Sequence, residues 1–255
     1  MKKLIIGAAF VLAPALLSAR GAPAVGALFA PKRIIKTNLA GYPFLSVSAN
    51  YEQKTGLKTS VGLLAGYKLP TVIRVEAIGE LDGERQTYTG DVEPKGLFVT
   101  PYFRFYTRET FHGFYVEAFL RYFKYDFLVP YDYDKNGRNI RANLDGEASA
   151  FGGGLGLGVQ VPLGPRVYLD FNLGYGMGIG NVHLETNDPN LELEDYRTIK
   201  RNIEQHQDDA DVQVFILGDI LTDPKAYATD TKAWADFENK LFPMLRGGIS
   251  LGFAF

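Results

Sequence analysis

The chain contains no cysteine. Disulfides, thiolate metal sites and thiol nucleophiles are therefore excluded, as is the lipidated cysteine of a bacterial lipoprotein. Histidine is scarce: His112, His183 and His206 are the 3 present, too scattered to read as a zinc site. No serine sits in a recognisable nucleophile elbow, so no nucleophile–base–acid constellation is legible. Past the N-terminus no apolar run reaches the ~20 residues of a spanning helix. Positive charge is not in excess either, the net charge being -2, which argues against a nucleic-acid partner.

What the chain does have is glycine and aromatic side chains, with 28 Gly, 15 Tyr and 18 Phe in 255 residues. That length suits one large domain. The start reads as a secretory signal peptide. Lys2 and Lys3 form a basic end, residues 4–17 are mostly apolar, and small residues offer cleavage after Ala19 or after Ala24. The leader thus covers residues 1–24 and the remaining domain residues 32–255.

Within that domain apolar residues recur at period two. Leu245, Gly247, Ile249, Leu251, Phe253 and Phe255 share one face, opposite Arg246, Gly248, Ser250, Gly252 and Ala254. Residues 167–179 and 151–161 repeat the pattern with glycine on the second face, which suggests a face crowded by another wall of the same barrel. Residues 113–125, 97–106, 57–67, 44–52 and 34–40 complete a set of eight. A sheet whose outward face is apolar and whose inward face is small or polar satisfies its backbone in lipid only by closing. Pro101 cannot donate to a ladder, and a bulge there would reconcile it with its strand. The connections support the same reading. Residues 53–56, 107–112 and 162–165 are short links, whereas 68–96, 126–146 and 180–244 are long ones, and apart from the tight Gly41-Tyr42-Pro43 link between the first two strands this alternation of short and long ends is expected of outer-membrane barrels. The expected fold is therefore all-β, an antiparallel transmembrane β-barrel of eight strands. A ten-stranded variant would recruit residues 72–81 and 212–220.

The inward faces carry Lys36, Lys58, Arg104, Arg121 and Arg246 together with Glu52, Glu117 and Asp170. An eight-stranded interior is just wide enough for side chains to fill, and single buried charges are costly, so these groups are expected to pair and plug the lumen. The long acidic loop 180–244 is expected to hold short helices, one opening at Asp188-Pro189 and continuing through Leu193, Tyr196 and Ile203, the other over 231–241 with Trp234, Phe237 and Leu241 on one side. Asp132-x-Asp134-x-Asn136-Gly137 resembles the first half of a calcium-binding EF-hand loop. It departs from that pattern at its twelfth position, Asn143, and at Asn139, and such a composition also favours plain turns.

The stretch Ile34-Ile35-Lys36-Thr37-Asn38-Leu39, the residues 45–51 and 97–106, Gly113-Phe114-Tyr115 and the Gly-rich pair around 152–178 resemble an uncharacterised family of secreted barrel-like proteins common in Bacteroidetes-type bacteria. The C-terminal Phe255 likewise resembles the assembly signal of outer-membrane barrels. The resemblance implies an eight-stranded fold in the outer membrane and no catalytic residues. The expectation is a monomeric outer-membrane barrel in contact with lipid. It would have a structural role or meet a surface protein or glycan through its loops. The rival classes are a narrow transport barrel and a lipid-modifying enzyme.

Overall fold

The computed structural model describes residues 31–81, 84–135, 138–188, 191–205 and 225–255. The chain divides into two units, Met1–Ala30 and Pro31–Phe255, and the leader reading falls outside the described residues. The second unit is all-β around one closed barrel. Its strands are β1 (Arg33–Asn38), β2 (Ser46–Lys54), β3 (Thr59–Lys68), β4 (Ile73–Leu81), β5 (Glu84–Val92), β6 (Lys95–Tyr106), β7 (Gly113–Lys135), β8 (Arg138–Pro162), β9 (Val167–Thr186), β10 (Lys225–Ala228), β11 (Ala233–Pro243) and β12 (Arg246–Ala254), with one helix, α1 (Leu193–Gln205).

Closure follows from the pairing. The order β9-β12-β1-β2-β3-β6-β7-β8 returns to β9, giving eight antiparallel wall strands. β4 and β5 form their own two-stranded hairpin. Residues 73–81 are thus a strand but not a wall strand, and residues 212–220 lie outside the described set. Arg33, Phe255 and the links β2–β3, β6–β7 and β8–β9 share one rim, where Phe255 bonds Arg33 through the backbone.

The outer face is apolar where a soluble barrel would be polar. Leu155 is 67% and Leu157 66% exposed, and Phe103, Phe105, Phe114, Leu173, Tyr175, Leu251 and Phe253 are exposed beside them. Along β9 the outward apolar residues run from Val167 to Ile179. Twelve steps at ~3.3 Å, tilted by ~45°, span roughly 28 Å, close to the height of a lipid-facing band. Above Val99, Tyr122, Phe151, Ile179 and Leu241, which lie side by side, the outer face turns polar. Four residues further along these strands, Lys95, Asp126, Glu147, His183 and Asp236 form one continuous cross-strand row. Beyond that edge the alternation inverts. The strands continue as a sheet with apolar groups inside, where Phe123, Ala148, Val182, Ala235, Phe237 and Phe242 pack together.

Inversion explains why strand lengths are underestimated from sequence. Residues 126–146 are not a loop: β7 and β8 stay paired from Gly113↔Gln160 to Lys135↔Arg138. Residues 231–241 are not a helix but the upper part of the last wall strand. The register of β11 on β9 shifts by one between Phe237 and Lys240 and then continues unchanged through β12. This bulge moves the inward set from Ala233, Ala235 and Phe237 to Phe242, Met244 and Arg246, so the period-two pattern slips and imitates helical spacing. Asn239 supplies the left-handed residue, at φ 56. Asn239→Val is expected to cost about 1–3 kcal/mol and Asn239→Gly close to nothing, as urea titration of the folded protein would measure.

Pro101 needs no bulge. The register of β6 on β7 is the same on both sides of it, Val99↔Tyr122 and Tyr102↔Phe119, and the ladder simply skips two residues there. The crowding that selects glycine comes from the adjacent strand rather than the far wall. On β8 and β9 the pairs Gly152↔Gly178, Gly154↔Gly176 and Gly156↔Gly174 face each other directly. A Cβ at Gly154 would stand 2.2 Å from the Tyr175 carbonyl oxygen. The sheet bends so sharply along this crease that inner-face side chains have no room.

Candidate functional site

At the rim bearing Arg33 and Phe255 an aromatic layer packs inside the barrel. Phe111, at φ 73 in the β6–β7 link, folds inward and packs edge-on against Tyr106 and Tyr168, with Ile34 and Ala254 beside them. Thr110 fixes that link to the neighbouring one, its N–H donating to the Leu57 carbonyl (2.8 Å) and its hydroxyl to that of Gly56 (2.8 Å).

Above this layer six charged side chains meet. Lys36 donates to Glu52 and Asp170. Arg104 donates through Nε to Glu117 (2.8 Å) and through Nη1 to Asp170 (2.7 Å) and Glu52 (3.1 Å). Arg246 donates to the other oxygen of Glu117. Three cations thus face three carboxylates with no net charge, and all six are buried. Hydroxyls add to the network: Ser60 and Tyr106 donate to Glu52, and Tyr115 donates to Asp170 (2.6 Å). A phenol has one proton. With that proton on Glu52, the group Gln160 turns toward Tyr106, 2.6 Å away, is its amide N–H rather than its oxygen. That orientation supplies the partner the Gln160 amide nitrogen otherwise lacks.

The cations are also stacked. The Arg104 guanidinium lies 4.0 Å from the Tyr115 ring centre and 4.6 Å from that of Tyr102, and the Arg246 guanidinium lies 4.7 Å from the Tyr102 ring centre. Glycine makes room for this column, since a Cβ at Gly62 or Gly158 would strike the Tyr102 or Tyr115 ring.

Of the residues expected in the lumen, Lys36, Glu52, Arg104, Glu117, Asp170 and Arg246 are buried in this network. Two of the expected charges stand apart. Lys58 is exposed at the rim, because Thr55 and Gly56 both donate to the Thr59 carbonyl and residues 55–58 are spent in the turn. Arg121 is inward but higher, its Nη1 donating to the Leu245 carbonyl (3.2 Å) and its guanidinium over Phe98. The phenols Tyr102, Tyr106 and Tyr115 were missed as network members, although each shares its strand face with Arg104 or Glu117. Above the network is a cavity of about 340 Å³, bordered by Asn50, Asn172, Ser250 and Arg121.

The other proposed positions do not converge. Asp132 and Asp134 are in the β7 ladder opposite Arg141 and Asn139, and Asn136 lies outside the described residues. Among the described residues no three acidic or imidazole groups gather as a cation site. His183 is on the outer face, its Nδ1 2.6 Å from Asp236 and its Nε2 3.6 Å from Glu185, with no hydroxyl hydrogen-bonded to it. His112 sits in the opposite rim against Tyr168.

In the extension above the barrel, α1 lays Tyr196 and Ile199 on Ala233 and Ala228. It begins at Leu193 rather than at Asp188-Pro189, and Asp195 accepts the Glu192 N–H (2.8 Å) at its start. Burial raises the Tyr196 phenol above its ordinary range, and its hydroxyl donates to the Asp188 carbonyl (2.7 Å).

A family model described as a protein of unknown function (DUF3575) matches residues 20–206. This span takes in β1 to α1 but not the strands that complete the wall. No curated protein and no solved structure matches the chain.

Proposed function

Because the chain belongs to the DUF3575 family of proteins of unknown function, which brings no activity with it, we propose from the geometry that it is a non-conducting barrel of a Gram-negative outer membrane. The N-terminal leader directs export, and the barrel is a monomeric anchor for the sheet and helix above it, which meet a surface protein or glycan. The exposed apolar belt carries this reading. Apolar side chains circle a closed ladder over a height that fits lipid, and polar residues begin together on neighbouring strands. In water such a belt would far exceed the apolar patch a monomer tolerates.

The lumen argues for an anchor over a channel. The neutral, hydrogen-bonded charge layer and the Phe111 layer beneath it fill the bore. A path for solute would require breaking several buried ion pairs at once, each a matter of several kcal/mol. The extension offers the surface for recognition. Tyr227 stacks on Trp234 at its edge, and Lys232 sits over the same indole, an arrangement of aromatic and cationic groups common in contact surfaces.

Two measurements test the proposal. The purified chain is expected to be folded and monodisperse in detergent or lipid and to aggregate without them. In planar bilayers it should give no stepwise conductance. A chain that stays folded and monomeric in plain buffer removes the membrane placement, and resolved current steps remove the closed lumen.

A further inference from the structure

The wall is incomplete beside the last strand. β1 stops at Asn38, and the chain then turns over through a 3-10 segment, Leu39–Phe44. The β1–β12 ladder therefore ends at Asn38↔Ser250. One rung higher the Asn38 side chain stands in for a strand, accepting from the Ile249 N–H (3.2 Å) and donating to the Gly247 carbonyl (3.4 Å). Above that, among the described residues, β12 and the lower part of β11 pair only with β9. The result is a notch between the 3-10 segment and Leu245–Gly247, and it opens into the cavity above the charge layer.

The lining of that cavity is one-sided in charge. It includes Lys68, Arg121 and Arg246 and no carboxylate. Arg246 is neutralised from below by Glu117. Arg121 is half-buried and has no ion pair among the described residues, holding only a carbonyl and an aromatic face. Two further donors are present. Asn50 and Ser250, each 4% exposed, border the same space. Asn50 uses its oxygen to accept from Tyr102 (2.7 Å), and among the described residues neither its amide N–H groups nor the Ser250 hydroxyl has a hydrogen-bond partner. These donors open onto the cavity, and together with an unmatched guanidinium they make a lining complementary to an anion.

The mouth identifies where the anion comes from. Phe44 and Leu245, 68% and 66% exposed, border the cavity and also face outward. Gly247 pairs with Leu173, inside the apolar belt rather than beyond its edge. We propose that the notch binds the anionic head of an acyl amphiphile, a carboxylate or a phosphate ester. Its head lies against Arg121, Asn50 and Ser250, and its chain leaves between Phe44 and Leu245 to run along the barrel in the hydrocarbon. The proposal rests on the membrane placement above. The cavity volume of about 340 Å³ is at the small end for ligand pockets, enough for a head and the first methylenes while the tail stays in lipid.

The test is a titration of the full chain, folded in a non-ionic detergent, with oleate, its neutral methyl ester and inorganic phosphate, read by native mass spectrometry. Oleate is expected to bind saturably at one copy per chain, with the ester and free phosphate at least tenfold weaker. Arg121→Gln should weaken oleate about tenfold. Leu245→Trp, a change on the lipid side that leaves the lumen untouched, should abolish it by filling the mouth. A wild-type chain that is folded in detergent and takes no oleate overturns the site. So do equal binding of the ester and equal binding by both variants. Phosphate binding as tightly as oleate overturns the acyl source. A chain folded without detergent would instead fail the membrane placement, whatever it binds.

Discussion

Glu52→Gln is expected to lower the unfolding free energy in lipid vesicles by about 3–5 kcal/mol, the usual cost of stranding one member of a buried ion network. Glu52 accepts from Lys36, Arg104, Ser60 and Tyr106. Glutamine keeps the shape but removes the charge, and its NH2 points a donor at groups that are themselves donors. The layer then holds three cations against Glu117 and Asp170, with no water to screen the surplus. Adding Lys36→Met restores the balance and should recover at least 1 kcal/mol relative to Glu52→Gln alone, because the pair would be coupled. The exposed pair Lys124–Glu147 is the contrast: Glu147→Gln should cost under about 1 kcal/mol. Urea titration followed by the fluorescence of Trp234 measures all three. A loss of less than 1 kcal/mol for Glu52→Gln would mean that the layer is hydrated and loosely held.

Gly154→Val should prevent the barrel from closing, reducing the folded fraction recovered in vesicles by tenfold or more. The added Cβ would stand 2.2 Å from the Tyr175 carbonyl oxygen and 2.5 Å from the Gly176 Cα. Both are backbone atoms of the paired strand and have no rotamer by which to yield. Overpacking a core usually costs 1–3 kcal/mol because side chains move aside; here the crease itself would have to flatten. Gly164, in the β8–β9 link, has open space around its Cβ position, and Gly164→Ala should refold like the parent. The heat-shifted mobility of the folded band reads both variants. Full recovery for Gly154→Val would show that the crease is a consequence of glycine rather than a requirement met by it.

The eight wall strands were legible because a closed wall with an apolar outer face repeats at period two with a fixed sense, apolar outward. The same rule hid the rest. Past Tyr122, Phe151 and Ile179 the surroundings of the outer face change, and the sense reverses: Lys124, Asp126, Glu147 and His183 point out while Phe123, Ala148 and Val182 point in. A search for outward apolar residues stops there, although the strands do not. The upper part of the last wall strand, Ala233–Pro243, was lost for a different reason, since one inserted residue near Asn239 put Phe237 and Phe242 out of phase. Six network charges could be assigned to the lumen from parity alone. Which carboxylate meets which cation could not, because Lys36 reaches Asp170 across two ladders of a closed curve that no single strand describes. The phenols were visible as inward aromatics, but their role depends on the charges they stack between.

The seam between β1 and β12 joins the two ends of the unit through five residue pairs, Ile34↔Ala254 to Asn38↔Ser250, whereas β7 and β8 share an unbroken hairpin. A hairpin zips as soon as its second arm exists. The seam must wait for the final residues and then bring together partners separated by about 220 positions, an entropic toll of roughly 5 kcal/mol by the logarithmic rule for loops. Five rungs offset little of that cost, so ring formation is expected to come late and slowly in folding. Trimming even a few C-terminal residues would leave an open, sticky curl.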